Sequence, residues 1–242
     1  MMMKLSGKKD VLLPLLSFLV GVSWALSPQV SGAATPAFND HRALDQKICA
    51  EIVDQVSQES DLDRLDDCME LYWHNGQFEN PPGSFSNLIK LGYRYLELDP
   101  YETDLYSTMA WLLWSKWRTW KDSPELMPDG ENKVEEAISL LYRGRDYHWE
   151  NANYFKSAGE IIWPLAKHYR PELFSFVIEN FEIGETLAND PALKIKFRLN
   201  LGHAFRHQQR KDDAIFWFER VLELDPENKI ALENLEKLRE QA

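Results

Sequence analysis

The segment Ile195–Asn228 reads I-K-F-R-L-N-L-G-H-A-F-R-H-Q-Q-R-K-D-D-A-I-F-W-F-E-R-V-L-E-L-D-P-E-N. Its apolar residues recur at three- and four-residue steps, as in F-W-F-E-R-V-L-E-L, which is the period of a helix. It closes on L-E-L-D-P, and the same five letters stand at Leu96–Pro100. N-D-P fills Asn189–Pro191, 35 residues before Pro226. A residue before proline avoids helical geometry, and proline cannot continue a helix but can begin one. Each Asp-Pro therefore reads as the end of one helix and the start of the next. Outward from this segment the pattern persists. After residue 40 no stretch sustains strand-like alternation, and breaks fall at Asn75–Ser84, Lys121–Gly130, near Pro171 and at Asn189–Pro191, all rich in turn residues. An all-α chain of successive antiparallel hairpins follows.

The segment resembles a tetratricopeptide repeat (TPR). Leu201 and Gly202 match the apolar and small pair of that repeat's first helix, and Phe205 its later aromatic. Ala214 and Phe218 match the second helix, and Pro226 the closing proline. Arg198 stands where the family often has an aromatic, and Val221 where it prefers alanine. Small residues let paired helices approach, and the phenylalanines fill the space left between pairs. Weaker copies lie upstream: Tyr106, Met109, Ala110 and Leu113 with Ala137, Leu141 and Gly144; then Phe155, Ala158, Gly159 and Ile162 with the segment from Pro171. The loop between the helices of the first copy is longer than the motif allows. Lys229–Glu240 has Leu232 and Leu235 on one side and charges on the other, as a capping helix should. The resemblance implies a right-handed superhelical solenoid of antiparallel helix pairs over residues 41–242.

The N-terminus differs. Lys4, Lys8 and Lys9 precede an apolar run, Val11–Leu26, and small residues follow at Ser31, Gly32, Ala33 and Ala34. This is the pattern of a secretory signal peptide over residues 1–33, cut after Ala33, with residues 34–40 as a linker. An uncut anchor or a buried helix are the alternatives, although the run is short for a membrane span. Export predicts a periplasmic or secreted protein. It also bears on the two cysteines, Cys49 and Cys68. They lie at nearly equal distances from the break at Ser57–Asp61, so an antiparallel hairpin would bring them level. In an oxidising compartment they are expected to form a disulfide, the alternative being two buried thiols. Ser60 or Asp61 is placed to cap the second helix.

Composition narrows the function. The 242 residues carry 27 basic and 39 acidic side chains, a net charge of −12, which argues against nucleic acid and against simple adhesion to anionic lipid. No nucleophile elbow, phosphate loop, zinc-protease motif or dinucleotide fingerprint is present, so no enzyme and no cofactor are expected. His203 and His207 share a helix face, but Ala204 follows His203 and no third ligand is apparent, so no metal site is expected. Asp129-Gly130 reads as a turn rather than a calcium loop.

The tryptophans need separate treatment. Trp111, Trp114, Trp117 and Trp120 stand at every third position of A-W-L-L-W-S-K-W-R-T-W-K. Each such step falls back by about 60° on a helix, so the four cannot form one stripe. The repeat resemblance implies that Trp111 and Trp114 lean toward the concave face. It places Glu160 and Trp163 similarly on the next first helix, and His203, Arg206 and His207 on the last. Trp117 and Trp120 are expected to anchor the long loop. A protein or peptide partner on the concave face is the leading expectation. A glycan or small molecule stacked on tryptophan is the alternative, and an assembly subunit using its convex face is a third.

Overall fold

The computed structural model describes residues 37–240 except 77, 78, 80 and 82, with side chains from residue 45 onward. The expected signal segment, residues 1–33, lies outside the described residues. Among the described residues there are ten α-helices and no strand. They are α1 (Ala37–Asp54), α2 (Leu62–His74), α3 (Ser86–Leu98), α4 (Thr103–Asp122), α5 (Lys133–His148), α6 (Ala152–His168), α7 (Phe174–Leu187), α8 (Pro191–His207), α9 (Lys211–Leu222) and α10 (Lys229–Glu240). α1 begins within the stretch expected as a linker. The chain from Asn39 onward is one all-α structural unit of successive packed helices.

The boundaries have local causes. The Asp61 carboxylate accepts from the Asp63 and Arg64 backbone N–H groups at 3.0 and 3.3 Å and starts α2. Asn151 caps α6 in the same way, and Asp190 caps α8, whose first residue is Pro191. Such caps satisfy backbone donors that the helix leaves over. Both L-E-L-D-P copies end a helix, α3 at Leu98 and α9 at Leu222. Cys49 and Cys68 form a disulfide that joins α1 to α2 across a Cα separation of 5.4 Å.

Packing between successive helices follows one rule. α4 pairs with α5, α6 with α7 and α8 with α9, while α7 also packs on α8 and α10 on α9. At several seams a glycine of one helix faces a large side chain of another. Gly144 on α5 meets Tyr154 on α6, Gly159 meets Phe181, Gly184 meets Phe197, and Gly202 meets Phe218. A Cβ at Gly202 would lie 2.7 Å from the Phe218 ring, and closer contacts would arise at Gly159 and Gly184. Phe181, Phe197 and Phe218 are fully buried. Phe218, expected to fill the space between pairs, instead fills the notch of Gly202 within its own pair, and glycine–aromatic contacts of this kind recur upstream.

Arg198 departs from the repeat pattern for a visible reason. It is buried, with Nε donating to Glu185 Oε1 at 2.8 Å on α7. Its Nη1 donates to the Arg220 carbonyl on α9 and lies 3.5 Å from Glu223. One guanidinium therefore ties three helices, a use that suits its fixed fork of donors.

Gly184→Ala tests the seams. In an ordinary helix this change gains up to about 1 kcal/mol. Here the added methyl meets the buried Phe197 ring, and overpacking of this kind costs roughly 1–3 kcal/mol. Urea denaturation should show a net loss of stability, partly restored by a second change, Phe197→Leu.

Candidate functional site

Four of the seven residues expected at the groove fall into two groups. Trp111 is half-buried, and its ring lies 6.0 Å from that of Trp73 at the end of α2. Trp73 in turn lies 6.4 Å from Phe85. Trp114 is half-buried, and its Nε1 is enclosed with no hydrogen-bond partner among the described residues. The second group lies at the ends of α6 and α8. The Trp163 ring meets His207 at 5.7 Å, Phe174 at 5.7 Å and Phe181 at 6.2 Å. His207 stacks on Phe174 with an interplanar angle of 15°. No ring contact among the described residues joins Trp111 or Trp114 to Trp163.

The remaining candidates have partners of their own. Glu160 is exposed, pairs with Lys156 at 2.8 Å and accepts from Asn200 on α8 at 3.5 Å. Arg206 donates to the Asn234 side chain, so it fastens α8 to α10. The His203 ring sits edge-on to Phe218 at 5.2 Å. Sequence reading missed Trp73, Phe85 and Phe174. Trp73 and Phe85 flank the break after α2, and Phe174 opens α7, so none lies on a first helix of the clearer copies.

Residues 195–228 match the family model of the tetratricopeptide repeat. This segment is a tetratricopeptide repeat. Its first helix is α8 and its second is α9, and it holds His203, Arg206 and His207. Among solved structures, the chain is similar to a thermophilic TPR protein of Thermus thermophilus, with a TM-score of 0.44 and 14% identity. That match covers 80% of this chain and 98% of the other. No curated protein matches the chain.

Trp117 and Trp120 divide between two tasks. Trp120 packs on the loop as expected, since a Cβ at Gly130 would strike its own Cβ. Trp117 is buried, but its ring meets Tyr169 beyond α6 at 6.3 Å, and Lys121 and Arg170 lie over it. The loop itself is held by Lys116, a buried lysine between the tryptophans. Its Nζ donates to Asp129 Oδ2 at 2.7 Å and to Ser86 Oγ at 2.9 Å. Partial burial pushes the Asp129 carboxyl up, but the Lys116 hydrogen bond and charge, with Lys133, outweigh it, so its pKa lies below the ordinary value. The loop is thus clamped to α4 and to the start of α3. Two open clefts lie elsewhere. One, of about 560 Å³, runs beside the disulfide along Ile48, Ile52 and Leu71. The other, of about 640 Å³, lies between α9 and α10.

Chemically, the α6–α8 end offers ring faces and imidazoles held in their neutral form. Burial, then Arg206 and His207, lower the His203 pKa to about 4. Burial, then Lys167, Arg206 and His168, lower that of His207. A neutral imidazole both donates and accepts, which suits peptide groups and carboxylates. The unfolded chain takes up protons on these residues near pH 6.5, where the folded protein does not. Stability is therefore full above about pH 6.5 and falls as the pH drops toward 4. Urea midpoints at pH 7 and pH 5 should show this loss, and it should shrink in His203→Gln.

Proposed function

We propose that this chain is an exported, non-enzymatic scaffold that binds a protein or peptide through aromatic rings on α4, α6 and α8. Tetratricopeptide folds serve generally as protein-interaction scaffolds. The observation that carries the reading is the Trp163–Phe174–His207 cluster, where rings from α6, α7 and α8 meet, with His207 exposed, Trp163 half-buried and Phe174 buried behind them. The half-buried Trp73–Trp111 pair supplies a second contact point on α2 and α4. Rings spaced along several helices suit an extended ligand better than one small molecule. The signal-type N-terminus and the Cys49–Cys68 disulfide both fit an oxidising compartment. Tryptophan faces also stack on sugars, so glycan binding is the second reading.

The test is recovery of partners from the envelope fraction by the mature chain and by a Trp111→Ala/Trp114→Ala/Trp163→Ala variant. Trp163 is packed, so circular dichroism must first show that the variant is folded, with His207→Ala as a milder second probe. Loss of a protein partner supports the reading, and a drop of at least about tenfold is expected for interface aromatics. Unchanged recovery by the folded variants refutes it, and a glycan array hit lost in the same variants decides for the second reading. N-terminal sequencing of the exported protein should begin at Ala34, and an intact Met1 would refute cleavage.

A further inference from the structure

This protein repeatedly builds one polar trio, with a guanidinium over an aromatic ring and a carboxylate on that guanidinium. Arg145 lies 4.4 Å over Tyr142 and pairs with Glu179 at 2.8 Å. Arg210 lies 4.4 Å over Phe205 and pairs with Asp213 at 2.8 Å. Arg118 lies 4.7 Å over Tyr169 and pairs with Asp122. In each case the ring face and the carboxylate share one cation.

One surface carries the rings and carboxylates of this trio without the cation. It is formed by the turn between α3 and α4 and by the end of α5. Tyr101 is 68% exposed and Tyr147 40%. The Tyr101 ring stands edge-on to Tyr147 at 5.7 Å and to His148 at 6.5 Å. Asp99 accepts from the Tyr101 backbone N–H at 3.1 Å, and Asp146 precedes Tyr147 in the chain. The Tyr106 hydroxyl below reports this setting. Burial raises its pKa most, Arg143 opposes, and Tyr147, Asp146 and Asp99 each add to the rise. Arg143 itself lies over Tyr93 at 5.6 Å. Among the described residues, no Lys or Arg lies over Tyr101 or Tyr147, and no ion pair uses Asp99 or Asp146.

The surface is also held in place from below. Tyr106 donates to the Pro100 carbonyl at 3.2 Å, and His148 stacks on Tyr154 at 4.9 Å. The Thr103 hydroxyl bridges His148 and Asn151 at 3.4 Å each. A site ordered in advance loses less entropy on binding. Exposed Tyr and Trp are the residues most enriched where binding energy concentrates.

We propose that this edge docks a Lys- or Arg-bearing segment of a partner protein, whose cation completes the trio on Tyr101 and Tyr147. Charge complementarity selects this occupant, since Asp99 and Asp146 lie near these rings and the whole chain carries −12. A second copy meeting the same patch would set carboxylates against carboxylates. The site is separate from the α6–α8 cluster, so each can fail without the other.

The test uses fluorescence anisotropy of a labelled hexa-arginine peptide on the full chain at near-physiological salt. Tyr101→Ala/Tyr147→Ala leaves the net charge unchanged and removes only exposed rings. It should weaken binding by at least about tenfold. Tyr101→Phe/Tyr147→Phe keeps the rings and should stay within about threefold of the parent. Equal affinity in the alanine variant would reduce the binding to general attraction by an acidic chain and overturn the proposal. So would sedimentation showing a dimer that dissociates when Tyr101 and Tyr147 are replaced, because the occupant would then be a second copy.

Discussion

The structure depends on a missing methyl. At Gly144, Gly159, Gly184 and Gly202 the helix surface has a notch, and an aromatic ring from another helix occupies it. Any side chain at these positions would push the partner helix away. The notch therefore sets interhelical distance, and distance sets which faces remain outside. α4, α6 and α8 owe the placement of Trp111, Trp163 and His207 to this spacing. Close packing at the notches also explains why the phenylalanines opposite them are wholly buried.

Charged side chains are used inside this frame as fasteners. Arg198 ties α7, α8 and α9 through Glu185, the Arg220 carbonyl and Glu223. Lys116 ties α4 to the start of α3 and to Asp129 in the long loop. Arg145 reaches from α5 to Glu179 on α7 with two hydrogen bonds. A buried pair such as Arg198–Glu185 adds little to stability over an apolar replacement, but losing one partner is costly. Their service here is to fix which helices neighbour one another. The same chemistry, guanidinium on ring and carboxylate, makes the uncovered edge at Tyr101 and Tyr147 stand out.

Much of this was legible in the chain itself. The Asp-Pro pairs marked helix ends because proline geometry is local. Gly202, Ala214 and Phe218 marked the last repeat because their spacing is fixed by two helices and one turn. Cys49 and Cys68 could be paired because a hairpin makes distance from its turn a measure of height. The rotation of the four tryptophans followed from helix geometry alone, and the structure sends them to different neighbours: Trp111 to Trp73, Trp117 to Tyr169, Trp120 to the loop. What stayed hidden depended on contacts between distant segments. Lys116 gave no sign of burial, because its partners are Ser86 and Asp129. Trp73 and Phe174 became visible as site residues only once their helices were set beside α4 and α8. Tyr101 and Tyr147 read as ordinary turn and helix-end aromatics until their exposure was known.

The central claim is that the glycine notches couple neighbouring helices into one stack. Native-state hydrogen exchange of the backbone amides tests it most directly. The account predicts that α6, α7, α8 and α9, joined through Gly159, Gly184 and Gly202, share a common opening free energy, with the amides beside these glycines among the slowest. Independent opening of α6–α7 and α8–α9, at clearly different free energies, would contradict it.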